Sequence, residues 1–157
     1  IYAGRTLTIP GVVSVQDGSG VTPLTSEMAA NARIIVEVGH SLGVSDRGLV
    51  VALAAAMQES SLRNVTYGDR DSVGVFQQRP SAGWGTRAAL LDVAHASRLF
   101  FGGPSNPNKG KTRGLLDIAG WESMSVTKAA QSVQISAYPN AYAKWEKSAR
   151  VWLAQLG

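Results

Sequence analysis

From Leu49 to Met57 the chain reads Leu-Val-Val-Ala-Leu-Ala-Ala-Ala-Met, apolar at every position. Ser45 or Asp46 stands before it as a helix cap. A helix that is apolar all round must be buried on most sides, so other elements have to surround it. The run is shorter than the roughly 18 apolar residues that cross a membrane. A chain of 157 residues forms one compact domain and buries roughly two thirds of its unfolded surface, enough to enclose such a helix without staples.

The flanking sequence supplies the wrapping. Met28, Ala32, Ile35, Val38 and Leu42 recur at helical spacing behind a Thr25 or Ser26 cap. Thr86 starts a further helix through Leu90, Leu91, Ala94 and Leu99 that stops at Gly102-Gly103-Pro104. A long loop follows. Helical spacing returns over Val126 to Ile135, then from Pro139 as a first-turn residue through Tyr142, Trp145, Ala149 and Leu153. The expected fold is mainly α, with helices around the buried central one and little or no sheet. Residues 11 to 23, rich in Gly, Ser, Val and Thr, mark a boundary, so 1–23 is expected to be a separate segment with linker and 24–157 the folded domain.

With no cysteine, disulfides, thiolate catalysis and cysteine metal sites are excluded. Two histidines, His40 and His95, do not support a histidine metal centre, and no metal or cofactor is expected. Net charge is +4, which suits an anionic polymer as partner. The bases Arg33, Arg47, Arg63, Arg70, Arg79, Arg87 and Arg98 are scattered rather than gathered in a stripe with aromatics, which argues against nucleic acid. Ile1 to Pro10 lack the basic and apolar runs of a secretion signal. Lys109-Gly110-Lys111-Thr112 ends like a phosphate-binding loop, but Ser105 stands where its first glycine belongs. Gly39-His40-Ser41-Leu42-Gly43 has the letters of a nucleophile elbow. A small serine esterase through Ser41 would need a preceding strand and an acid and base on one sheet, and His95 sits in a helical pattern.

The chemistry is expected where the apolar helix runs into Gln58-Glu59-Ser60. A carboxyl partly desolvated at the edge of a core keeps its proton to higher pH, as a general acid for glycoside cleavage must. Glu59-Ser60 is followed, after a polar loop, by Gly74-Val75-Phe76-Gln77-Gln78 and by Arg79-Pro80-Ser81-Ala82-Gly83-Trp84-Gly85-Thr86. This spacing resembles the soluble lytic transglycosylase and goose-type lysozyme group, in the form found in actinobacterial and phage wall-degrading proteins. Ile1 to Pro10 resembles the closing segment of a LysM repeat, the small wall-binding module.

The resemblance implies a lysozyme-like fold and a glycosidase, extracellular or wall-associated, that acts as a monomer on peptidoglycan glycan strands, with no nucleic-acid or membrane partner. It assigns Glu59 as general acid and base, with Ser60, Gly74, Phe76, Gln77 and Gln78 around the substrate. Gly74 would let the backbone approach sugar, and Phe76 and Gln77 would offer a packing face and an amide. Trp84 is a candidate stacking face. Ala137-Tyr138-Pro139-Asn140-Ala141 resembles the group's Ala-Tyr-Asn-Ala-Gly stretch, whose tyrosine faces the acid; Tyr138 is the candidate and Tyr142 its competitor. Two products stay open. Glu59 alone would give an anhydro-muramyl end, whereas Asp69 or Asp71 holding a water would give a hydrolytic muramidase. A wall-binding module without activity is the remaining alternative.

Overall fold

The computed structural model describes residues 20–156, and the LysM-like stretch lies outside the described residues. Six α-helices make up the described chain: α1 (Ser26–Ser41), α2 (Asp46–Ser60), α3 (Arg87–Leu90), α4 (Val93–Phe101), α5 (Val126–Gln134) and α6 (Glu146–Leu156). Among the described residues there is no strand, and the one bridge pairs Val73 with Gln78. The fold is mainly α, as the periodicity requires.

Helix α2 is the axis. Every residue from Gly48 to Met57 is buried, and α1, α5 and α6 pack around it while α4 lies against α1. Ser45 caps its start by accepting from the Gly48 N–H. Helix α1 begins in a capping box: Thr25 Oγ1 accepts from Met28 N–H at 3.2 Å and Met28 Sδ accepts from Thr25 N–H at 3.5 Å. The two helices meet where α1 carries Gly39, because a Cβ there would stand 2.2 Å from Leu49 Cδ2.

Three expectations change at the level of local chemistry. The helix starting at Thr86 is two helices, because Asp92 Oδ1 accepts from His95 N–H and opens a new helix after Leu91. Pro139 lies in a turn rather than in a first helical turn; the chain passes through a 3-10 turn, Ala143–Trp145, before α6 begins at Glu146. The folded unit also reaches further back than residue 24. Thr22 is buried, its N–H donates to Ser148 Oγ, and its carbonyl accepts from Trp152 Nε1–H at 2.8 Å. The long loop between α4 and α5 is folded on itself: Asp117 accepts from Gly103 and Gly114 N–H groups, and Leu115, Ile118 and Trp121 join the core.

Leu53, wholly buried in α2, reports on this core. Leu53→Ala is expected to cost about 2–5 kcal/mol of stability by urea unfolding. A loss below about 1 kcal/mol would mean that α2 is not enclosed on all sides.

Candidate active site

Glu59 occupies the last turn of α2, half-buried, one residue from the helix end. The chain leaves the helix through Ser61 and Leu62, both with left-handed backbones (φ 58° and 59°). Two successive non-glycine residues in this region are costly, and such strain persists only where neighbours enforce it. Here Leu62 is completely buried and its carbonyl accepts from the buried Asn31 Nδ2–H at 2.9 Å. The helix therefore stops abruptly and leaves the Glu59 carboxyl at the core's edge.

Aromatic donors from the turn before α6 hold this end. The Tyr142 hydroxyl donates to Glu59 Oε2 at 2.7 Å, and Trp145 Nε1–H donates to Gln58 Oε1 at 2.9 Å. The Gln134 amide, at the end of α5, donates to the Phe76 carbonyl at 2.8 Å and faces the Glu59 carboxyl closely enough to favour its charged form. Burial raises the Glu59 pKa above the usual glutamate value, and Tyr142 and Gln134 only partly offset it. Burial and the adjacent carboxyl push the Tyr142 hydroxyl well above the ordinary tyrosine range, so it stays a donor. Among the described residues no cation forms an ion pair with Glu59.

Beside this group lies a cleft of about 220 Å³, lined by Gln77, Arg79, Trp84, Val133, Gln134 and Ile135. Trp84 is half-buried, one side packed on the core and the rest facing the cleft. Gln77 has a left-handed backbone (φ 53°), and its amide donates to the Tyr67 and Gly74 carbonyls. Gln77 and Trp84 both line this cleft, the amide of Gln77 being held by its own loop.

The other expected residues are placed differently. Tyr138 is exposed, and the tyrosine on Glu59 is its competitor Tyr142, because the 3-10 turn carries the later residue inward. Gly74 does not open toward the cleft: its φ is 85°, and a Cβ would fall 2.5 Å from the Leu90 carbonyl oxygen. Phe76 is wholly buried and stacked on Phe100, so only its carbonyl reaches the site, through Gln134. Ser60 is structural; its hydroxyl lies 2.7 Å from the Val75 carbonyl and accepts from Arg63 N–H. Gln78 borders the cleft but is buried, with its Nε2–H donated to the Ala96 carbonyl.

Neither aspartate meets Glu59. Asp71 is bound by Arg79 Nε–H at 2.9 Å and by the Ser81 N–H and hydroxyl, and Arg79 and Ser81 hold its carboxyl down at about 2. A carboxylate so fully occupied and so weakly basic is a poor partner for a water proton. Asp69 is almost wholly exposed, with only a 3.9 Å contact to Arg70. Ser41 offers no nucleophile elbow, since its hydroxyl donates to the Val38 carbonyl of its own helix at 2.6 Å and the Ile34 to Val38 stretch before it is helix rather than strand. It lines a larger recess of about 500 Å³ beside Glu37, Asp92 and Arg98.

Gln58, Gln134 and Trp145 were not marked out by the sequence. The signal for Trp145 was an aromatic with a polar end, three residues after Tyr142 on a predicted helix. Nothing in the sequence distinguished Gln134 from the other amides of α5. Compared with models of known protein families and with curated proteins, the sequence matches none.

A carboxyl whose folded pKa lies above the usual 4.5 binds its proton more tightly folded than unfolded. Its contribution to stability is complete below about 4.5 and is lost as pH rises through the raised value. Glu59→Gln has no such loss. Its Tm relative to wild type is expected to be level in acid and to climb across that interval, measured by thermal melts at successive pH. A difference independent of pH would mean that the carboxyl titrates normally.

Proposed function

We propose that the chain cleaves peptidoglycan glycan strands between N-acetylmuramic acid and N-acetylglucosamine, as a lytic transglycosylase with Glu59 as general acid and then base. The observation that carries this reading is the half-buried Glu59 carboxyl, raised in pKa by burial and hydrogen-bonded by the neutral Tyr142 hydroxyl rather than paired with a cation. The enzyme would work at the wall, outside the cell, and its net charge of +4 favours approach to that anionic polymer.

Protonated Glu59 gives its proton to the glycosidic oxygen as the bond from the muramyl C1 to that oxygen breaks. The carboxylate left behind is what the Tyr142 hydroxyl binds best, because hydrogen bonds to an ionised acceptor are roughly twice as strong as neutral ones. Its contribution therefore grows as charge develops, which is the condition for lowering a barrier rather than merely binding substrate. The carboxylate then takes the proton of the muramyl 6-hydroxyl as that oxygen attacks C1. The acid is regenerated and the product carries a 1,6-anhydro ring. Water is not a reactant, so no second carboxylate is needed.

Burial supports Glu59 as acid against a purely wall-binding role, since a desolvated carboxyl is costly and simple glycan capture gains nothing from it. Glu59→Gln is expected to lower lysis of purified walls by about 10²–10⁴-fold, the usual range for a general acid and base, with its circular dichroism unchanged. Asp69→Asn and Asp71→Asn are expected to retain most activity in the same turbidity assay. Lysis by Glu59→Gln at the wild-type rate would exclude the assignment, and collapse in either aspartate variant would point to hydrolysis instead.

A further inference from the structure

Ile135 follows the last residue of α5 with φ 48° and ψ 54°, a left-handed conformation that a β-branched side chain adopts only under constraint. Helices often end on a left-handed residue, but glycine or asparagine serves there without strain. Packing does not explain isoleucine at this position, because 77% of it is exposed. It nevertheless lines the same cleft as Trp84 and Gln134. Of the five non-glycine residues with positive φ among the described residues, Ser61 and Leu62 follow Glu59-Ser60, and Gln77 and Ile135 line this cleft.

The conformation is enforced from one side. Ile135 N–H donates to the Gln131 carbonyl at 2.8 Å. The Gln131 side chain then grips the next residue both ways: its Oε1 accepts from the Ser136 N–H and hydroxyl, and its Nε2–H donates to the Ser136 carbonyl. Ser136 Oγ in turn accepts from Tyr138 N–H. Such a clamp fixes the turn whatever residue precedes Ser136, so the isoleucine side chain is held out at the rim at the expense of folding stability. Exposed apolar surface maintained against strain has its use in binding.

We propose that Ile135 is a substrate-contacting specificity residue, packing with Trp84 against the apolar face of an N-acetylated sugar in the cleft. This rests on the glycan-cleaving reading. The contact secures the strand without touching the proton that Glu59 moves, so it acts on substrate affinity and not on the chemical step.

Stability and affinity should then part company in variants that suit the left-handed backbone. Ile135→Asn and Ile135→Gly are compared with wild type for Tm, for KM and kcat on soluble uncrosslinked glycan strands, and for NMR titration by the N-acetylglucosamine trimer. Ile135→Asn is expected to raise Tm by roughly 2–4 °C, while both variants raise KM and the trimer's Kd about fivefold to thirtyfold with kcat nearly unchanged. Ile135→Val, which keeps a branched apolar side chain, should stay within about twofold of the wild-type KM. An unchanged KM and Kd in both Ile135→Asn and Ile135→Gly would overturn the proposal, as would a lower Tm in Ile135→Asn, which would assign the side chain to packing. If wild type failed to cleave the strands, the glycosidase reading would fall; trimer binding weakened in the variants would still support the contact.

Discussion

The burial of α2 on all sides governs the rest of the molecule. Because Gly48 to Met57 have no solvent face, α1, α5 and α6 must all pack on one axis. The first polar side chains after that run, Gln58 and Glu59, are delivered half-buried to the edge of the core. Water is largely withdrawn from them, so each needs a partner from the surrounding elements. Trp145 and Tyr142 supply those partners from one turn. The same burial that holds the helix in place raises the carboxyl's pKa.

Of the five non-glycine residues with left-handed backbones among the described residues, four lie at the end of α2 or on the cleft wall, and Arg70 lies in the polar loop. Ser61 and Leu62 end α2 in left-handed conformations, and Gln77 and Ile135 adopt them on the cleft wall. Buried leucine, the Asn31 amide, the Gln77 amide bonds and the Gln131 clamp hold these positions. A proton donor and a cleft kept in fixed relation suit chemistry that depends on positioning a sugar oxygen within reach of one acid. Asp71 belongs to a different device: with Arg79 and Ser81 it ties the polar loop to the segment leading to Trp84. Its carboxylate shapes the cleft's edge and is already satisfied.

The apolar run, the capping residues Thr25 and Ser45, and the periodicity of α1 and α5 were legible because they are short-range signals. Glu59 was legible for the same reason, lying directly after the run. What escaped was decided by contacts distant in sequence. Tyr138 and Tyr142 differ by one helical turn, and the backbone before α6, not the residue types, selects which meets Glu59. Gly74 looked like an opening toward ligand, whereas the Leu90 carbonyl beside it requires the missing side chain. The Ser61-Leu62 turn carries no glycine to announce it, since tertiary contacts replace local propensity there. Asp92 as a cap inside a continuous helical pattern was readable in principle, but Leu90, Leu91, Ala94 and Leu99 kept the apolar spacing across the break.

In the proposed reaction Glu59 alone serves as acid and then base. The most direct test is the mass of the muropeptides released from purified walls by the wild-type protein, digested in parallel with a hydrolytic lysozyme. Intramolecular attack by the 6-hydroxyl predicts products lighter by one water than the lysozyme products, with no oxygen-18 incorporated at the new end in labelled water. Reducing-end products that carry the label would contradict it, because a water would then have to be activated by a group other than those that surround Glu59.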